Sequence, residues 1–62
     1  MTNEEYIARK LNDAVNHVSD SLGERTYQWE GLEEEQREAY TKLVKGMITT
    51  WPELVTLIPE TV

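Results

Sequence analysis

Few side chains in this sequence have the chemistry of a catalytic or metal site. His17 is the only histidine, there is no cysteine, and the 12 acidic residues are the most abundant charged groups. No second histidine follows His17 at four residues, and no recognisable nucleophile motif surrounds it, so we interpret it as a surface residue. We therefore predict no catalytic residue, no cofactor and no metal site, and expect a protein that is not an enzyme.

The densest chemical feature is an acidic cluster, which consists of Glu30, Glu33, Glu34, Glu35 and Glu38. Adjacent glutamates fan around a helical turn and do not converge on one substrate atom. A helix N-terminus carries a partial positive charge, and a glutamate there stabilises the helix by about 0.3–1 kcal/mol. We favour this interpretation. The alternative is a surface that imitates nucleic-acid phosphates and blocks a nucleic-acid-binding protein.

Composition excludes several classes of partner. The chain has 62 residues and a formal net charge of −6, with 6 basic side chains. That sign disfavours direct binding to nucleic acid or to anionic lipid. The N-terminus is acidic and lacks the apolar run of a signal peptide, and no stretch approaches the roughly 18 apolar residues of a membrane span. We expect one small domain over residues 1–62, located in the cytoplasm.

The first predicted helix covers about residues 3–22. Thr2 and Glu5 have the spacing of a capping box at its start, and Gly23 stands where a helix commonly ends in a left-handed residue. Asn12 and Asn16 are placed on the polar side. The apolar residues recur at spacings of three and four, which is typical of a helix with one buried face; they are Ile7, Leu11, Ala14, Val15, Val18 and Leu22.

The second predicted helix covers about residues 33–50. Glu33 with Arg37, and Glu38 with Lys42, are spaced to form ion pairs along it. Pro52 disfavours helical geometry in the residue before it, so the helix should end near residue 50. Its apolar residues again follow helical spacing; they are Ala39, Tyr40, Leu43, Val44, Met47, Ile48 and Trp51.

The rest of the chain connects and closes these helices. Residues 23–32 lack a sustained period, and we predict that Tyr27, Trp29 and Leu32 fold onto the helix ends as a plug. A short helix is predicted at about 52–58, with a strand at 54–58 as the alternative, and a tail follows Pro59. The predicted fold is all-α: an antiparallel two-helix hairpin closed by a short C-terminal helix.

The apolar face of the second helix is wide for a protein of this size. It spans about 140° of the helix surface, whereas the chain offers one partner helix and a short closing segment to cover it. Large aromatic residues and methionine are typical interface anchors, so we expect Tyr40, Met47, Trp51 and Leu54 to bind a protein partner if they are exposed. A purely structural homodimer is the remaining alternative, because chains of this size often gain stability by self-association.

One set of residues matches a pattern found in other small proteins; it consists of Ala8, Ala14, Trp29, Leu32, Glu35, Gln36, Arg37 and Ala39. Over about residues 5–48 the chain resembles small helical phage and prophage proteins, including the short helical domains of ryanodine-receptor-like repeats in phage genes. The proline that often opens the second helix of those proteins is replaced by Gly31-Leu32-Glu33, so we transfer no ligand site. The resemblance implies a cytoplasmic phage accessory protein that binds or inhibits a host protein.

Overall fold

The computed structural model describes residues 2–59, and this part of the chain is all-α. Helix α1 spans Asn3–Ser21 and helix α2 spans Glu34–Thr50. A 3-10 turn at Trp29–Gly31 interrupts the connector, and a 3-10 segment at Pro52–Leu57 follows α2. The predicted helical hairpin is confirmed, and its closing element is a 3-10 segment. The tail predicted after Pro59 lies outside the described residues.

Both ends of α1 follow local rules of helix capping. The Thr2 hydroxyl oxygen accepts a hydrogen bond from the backbone N–H of Glu5 at 3.1 Å. The carboxylate of Glu5 accepts from Arg9 at 3.4 Å, one turn further along the helix. At the other end Gly23 has a φ of +73°, the left-handed conformation that favours glycine. The start and stop signals read from the sequence therefore delimit α1 to within one residue.

Helix α2 begins immediately after Glu33. The backbone N–H of Glu33 donates to the side-chain oxygen of Gln36 at 3.0 Å, and Glu34 and Glu35 occupy the first turn. Arg37 donates a hydrogen bond to the backbone carbonyl of Leu32. This corrects the predicted Glu33–Arg37 ion pair. The guanidinium satisfies a carbonyl of the connector, and it thereby fixes the connector to the first turns of α2.

The hydrophobic core lies at one end of the molecule, which we call the closed end. Its buried members are Ile7 and Ala8 from α1, Val44 from α2 and Leu54 from the 3-10 segment. The 3-10 segment covers the junction of the two helices, because Pro52 ends α2 and turns the chain back over it. Half-buried residues surround this core; they are Tyr6, Leu11, Trp29, Tyr40, Met47, Ile48 and Ile58.

The C-terminal half of α1 leaves this core, and we call the region that it forms with residues 34–43 of α2 the open end. Ile7 is buried and Leu11 is half-buried, but Val15, Val18 and Leu22 on the same stripe are exposed. Only the first half of the predicted apolar face of α1 is therefore covered. Periodicity identifies the apolar side of a helix, but it does not tell how far along the helix a partner extends.

The connector between the helices runs back along α1. Trp29 and Leu32 pack inward as predicted, and Trp29 contacts the ring of Tyr40 with centroids 6.1 Å apart. The guanidinium of Arg9 lies 5.7 Å from the Trp29 ring centroid and bonds the Glu30 carboxylate at 3.3 Å. The connector therefore crosses the side of α1 at the level of Arg9 before α2 begins.

Candidate protein-binding groove

A groove of about 510 Å³ opens between α1 and α2 at the open end. Val15 forms part of its α1 wall, and Tyr40 and Leu43 form part of its α2 wall. Tyr27 and Leu32 of the connector also line it, and Leu32 is buried. The groove is therefore bounded by both helices and by the connector. Its lining is mainly apolar, which suits a hydrophobic side chain or the face of a helix.

An apolar stripe on α1 continues beyond the groove. Val18 follows Val15 by three residues on α1, and Leu22, seven residues after Val15, caps the end of that helix. We define the open-end apolar face as Val15, Val18, Leu22, Tyr27 and Leu43. These residues are between 47 and 68% exposed. Single exposed apolar residues are ordinary on a protein surface, whereas a group on adjoining elements is typical of an interaction site.

The charged side chains that line the groove balance each other. Glu24 and Arg25 are the two, and they come from the start of the connector. The Arg25 guanidinium lies 5.9 Å from the ring centroid of Tyr27, at a distance where a cation attracts the face of an aromatic ring. The groove is thus close to neutral in a chain whose net charge is −6. Most acidic groups lie on other surfaces.

Two asparagines of α1 hold the connector wall of the groove. Asn16 accepts from the Tyr27 backbone N–H at 3.1 Å and donates to the Tyr27 carbonyl at 2.6 Å. Asn12 donates to the same carbonyl at 3.1 Å and is only 2% exposed. The two side chains therefore form hydrogen bonds with both the backbone N–H and the carbonyl of Tyr27, as a neighbouring β-strand would.

The role of these asparagines corrects the sequence interpretation, which placed both on the polar side of α1. A usable signal was present, because Asn12 and Asn16 are four residues apart and border the apolar stripe. Their partner is a backbone carbonyl, and a backbone group has no sequence signature. The sequence could therefore suggest a shared face but not its contact.

The four predicted anchors lie in different environments. Tyr40 is half-buried and lines the groove. Met47 is half-buried against the core, and Leu54 is a core residue with 8% exposure, so Leu54 offers almost no surface to a partner. Trp51 is half exposed at the start of the 3-10 segment, which also carries the exposed Leu57. The structure thus separates Tyr40, at the groove, from the other three at the closed end.

The acidic cluster is fully on the surface. Glu30 lies on the 3-10 turn and is paired with Arg9. Within residues 2–59 both ion pairs involve Arg9, so the other four glutamates of the cluster have no cationic partner. The predicted ion pair between Glu38 and Lys42 is therefore not formed either within the described residues. Three of those four, at positions 33–35, occupy the cap and first turn of α2, where the helix dipole favours them.

Other site chemistry is sparse in the described part of the chain. His17 is exposed, as expected. Among residues 2–59, no three His, Asp or Glu side chains are grouped so that they could hold a metal ion. The helices described here are too short or too polar to cross a membrane.

Comparison with known protein families, with characterised proteins and with solved structures gave no match. The functional interpretation therefore depends on the geometry of the groove and on the charges around it.

Proposed function

We propose that this protein is a non-enzymatic helical protein–protein interaction module that acts in the cytoplasm. The observation that carries the proposal is the open-end apolar face, where five large apolar side chains are at least 47% exposed and three of them, Val15, Tyr27 and Leu43, line a mainly apolar groove. Exposure of such a group costs free energy in water, and contact with a partner recovers it. The resemblance to phage accessory proteins leads us to propose a host protein as a partner.

Binding would use a preformed surface. Asn12 and Asn16 fix the connector at Tyr27, and Arg37 fixes it at Leu32, so the groove walls need little reordering when a partner arrives. An amphipathic helix fits this shape, because a groove between two helices receives the apolar face of a third. The acidic surface outside the groove would increase the association rate with a basic partner and orient it.

The proposal is tested by affinity capture from a bacterial lysate with three versions of the protein. Leu43→Asp places a charge at the groove and should reduce recovery of the specific partner at least about tenfold. Leu57→Asp is the matched control, because Leu57 is 65% exposed but lies on the 3-10 segment. Equal recovery by wild type and both variants would rule out the groove as the binding surface.

A second candidate function, an acidic decoy for a nucleic-acid-binding protein, is favoured by one observation. Glu33, Glu34, Glu35 and Glu38 are exposed and have no ion-pair partner within residues 2–59. Replacing Glu33, Glu34 and Glu35 by Gln should then abolish capture, and raising the salt from about 0.1 to about 0.5 M should weaken it steeply. Capture that survives both changes but fails with Leu43→Asp supports the apolar groove.

A further inference from the structure

We propose that the groove binds a second copy of this chain, so that two hairpins pair through their open ends. This inference rests on the proposed function and specifies the partner at the same surface. The apolar stripe of α1 from one copy would lie in the groove of the other, and the reverse contact would form at the same time. Such reciprocal contact is the rule in two-fold symmetric dimers, and here it would create a four-helix arrangement.

The chain exposes more surface than an average folded monomer of its mass. The chain exposes 4828 Å², whereas a folded monomer of its mass of 7.2 kDa exposes about 4100 Å². The chain as a whole therefore exposes about 700 Å² more than an average folded monomer of its mass, and the exposed side chains of the open-end apolar face contribute to that surplus. A second copy that covers this face would remove part of it.

The geometry of the face is suited to self-association. Val15 and Val18 on α1 and Leu22 at its C-terminal cap extend over about 10 Å, and their spacing of three and four residues is that of packed helices in bundles. A groove of about 510 Å³ has room for such side chains from another helix. The same copy thus carries both the ridge and the groove that a reciprocal contact needs.

The charges also permit a second copy at this place. Two molecules of charge −6 repel each other at long range. The groove, however, is lined by one acidic and one basic side chain, Glu24 and Arg25, so pairing there brings no net like charge together. The acidic cluster lies mainly on α2 and the 3-10 turn, and none of its glutamates lines the groove.

The small size of the hydrophobic core is a separate reason to expect self-association. Within the described residues, Val44 is the one large side chain that is buried to below 2% exposure. The chain has no cysteine, and residues 2–59 hold no group of metal ligands. Small domains without these supports commonly depend on oligomerisation.

Sedimentation equilibrium of the purified full chain tests the proposal. We expect a monomer–dimer equilibrium with a dissociation constant on the order of 10–100 µM, in the range of small apolar interfaces. Raising the salt from about 0.1 to about 0.5 M should leave the dimer unchanged or strengthen it, because salt screens the repulsion between two acidic copies. A monomer at every concentration up to about 500 µM would overturn the proposal.

Variants locate the contact. Val15→Asp and Leu43→Asp should each weaken the dimer at least about tenfold, while Leu57→Asp changes it by less than about threefold. Circular dichroism at high dilution verifies that each variant remains helical. If a groove variant does not fold, Val15→Ser replaces it, with an expected weakening of about fivefold. A dimer that is lost with Leu57→Asp but kept by the groove variants would contradict the assignment.

The outcomes separate this inference from the proposed function. If the protein is monomeric and Leu43→Asp abolishes its capture of another polypeptide, the second copy is not the partner. The proposed function as an interaction module is then retained. A dimer that weakens steeply with salt would also contradict the inference, because it would indicate ionic contacts through the acidic surface. If Leu43→Asp changes neither self-association nor capture of another polypeptide, the groove is not the binding surface for a second copy or for another protein.

Discussion

The two ends of this molecule are built from the same two helices but differ in what covers their apolar faces. At the closed end, the 3-10 segment brings Leu54 over Ile7, Ala8 and Val44, and these residues exclude water. At the open end, the connector runs down one side of α1, and Val15 on the apolar stripe stays half exposed. A third element therefore decides whether an apolar helix face becomes core or interface.

The largest contrast between the ends should come from one substitution made in both. Val44→Asp buries a charge where the side chain is fully enclosed, and we expect it to lower the free energy of unfolding by more than about 4 kcal/mol. Val15→Asp should lower it by less than about 1 kcal/mol, because Val15 is 47% exposed. Urea denaturation at about 2 µM protein, where little dimer forms, measures both values.

Similar losses of unfolding free energy for the two variants would contradict this difference, since they would mean that the open end is as well covered as the closed end. Val44→Ala serves as a milder control for the closed end, with an expected loss of about 2 kcal/mol from the cavity that it leaves. This variant should still fold well enough to be compared directly with Val15→Ala.

The connector gives the next largest effect. Asn12→Ala leaves a buried site without its hydrogen bond to the Tyr27 carbonyl, and we expect a loss of about 1–2 kcal/mol in the free energy of unfolding. Asn16→Ala removes both bonds to the Tyr27 peptide groups. It should accelerate hydrogen exchange of the Tyr27 amide by about tenfold or more, as measured by NMR.

Asn3→Ala is the control for these two, because Asn3 is exposed and its side chain forms no hydrogen bond with residues 2–59. Unchanged Tyr27 exchange in Asn16→Ala would show that the connector is held by its own packing. The groove wall would then be defined by Trp29 and Leu32 rather than by the asparagines.

The smallest effects are expected for two glycine substitutions, which should change the free energy of unfolding in opposite directions. Gly46→Ala adds a methyl group in open space on α2 and should stabilise the protein by about 0.5–1 kcal/mol. Gly23→Ala forces alanine into a φ of +73° and should destabilise it by about 1 kcal/mol. Thermal unfolding by circular dichroism compares the two variants. Equal signs would contradict the left-handed end assigned to α1.

The bounds of the elements were largely predictable because their signals are local. Thr2, Gly23 and Pro52 act through their own backbone or through groups within three residues, and each delimits a helix where the structure has it. The inward position of Trp29 and Leu32 was also predictable, since large apolar side chains in a short connector have few other places to be buried.

The groove was not predictable, because it results from contacts between distant segments. Arg37 bonds a carbonyl of the connector and not Glu33, and Asn12 is buried beneath a peptide group of Tyr27. Neither backbone partner has a residue-type signature. Helical spacing also predicted that Val15 is on the buried face together with Ile7, although only Ile7 is buried in the core.

Pairing of two copies through the open-end apolar face is the step on which the proposed interaction depends most. Methyl NMR spectra recorded over a dilution series test this directly. We predict concentration-dependent shifts at Val15, Val18, Leu22 and Leu43, and constant positions for Val44 and Leu57. Shifts that are absent at all concentrations, or that appear at Leu57 and spare Leu43, would contradict the account.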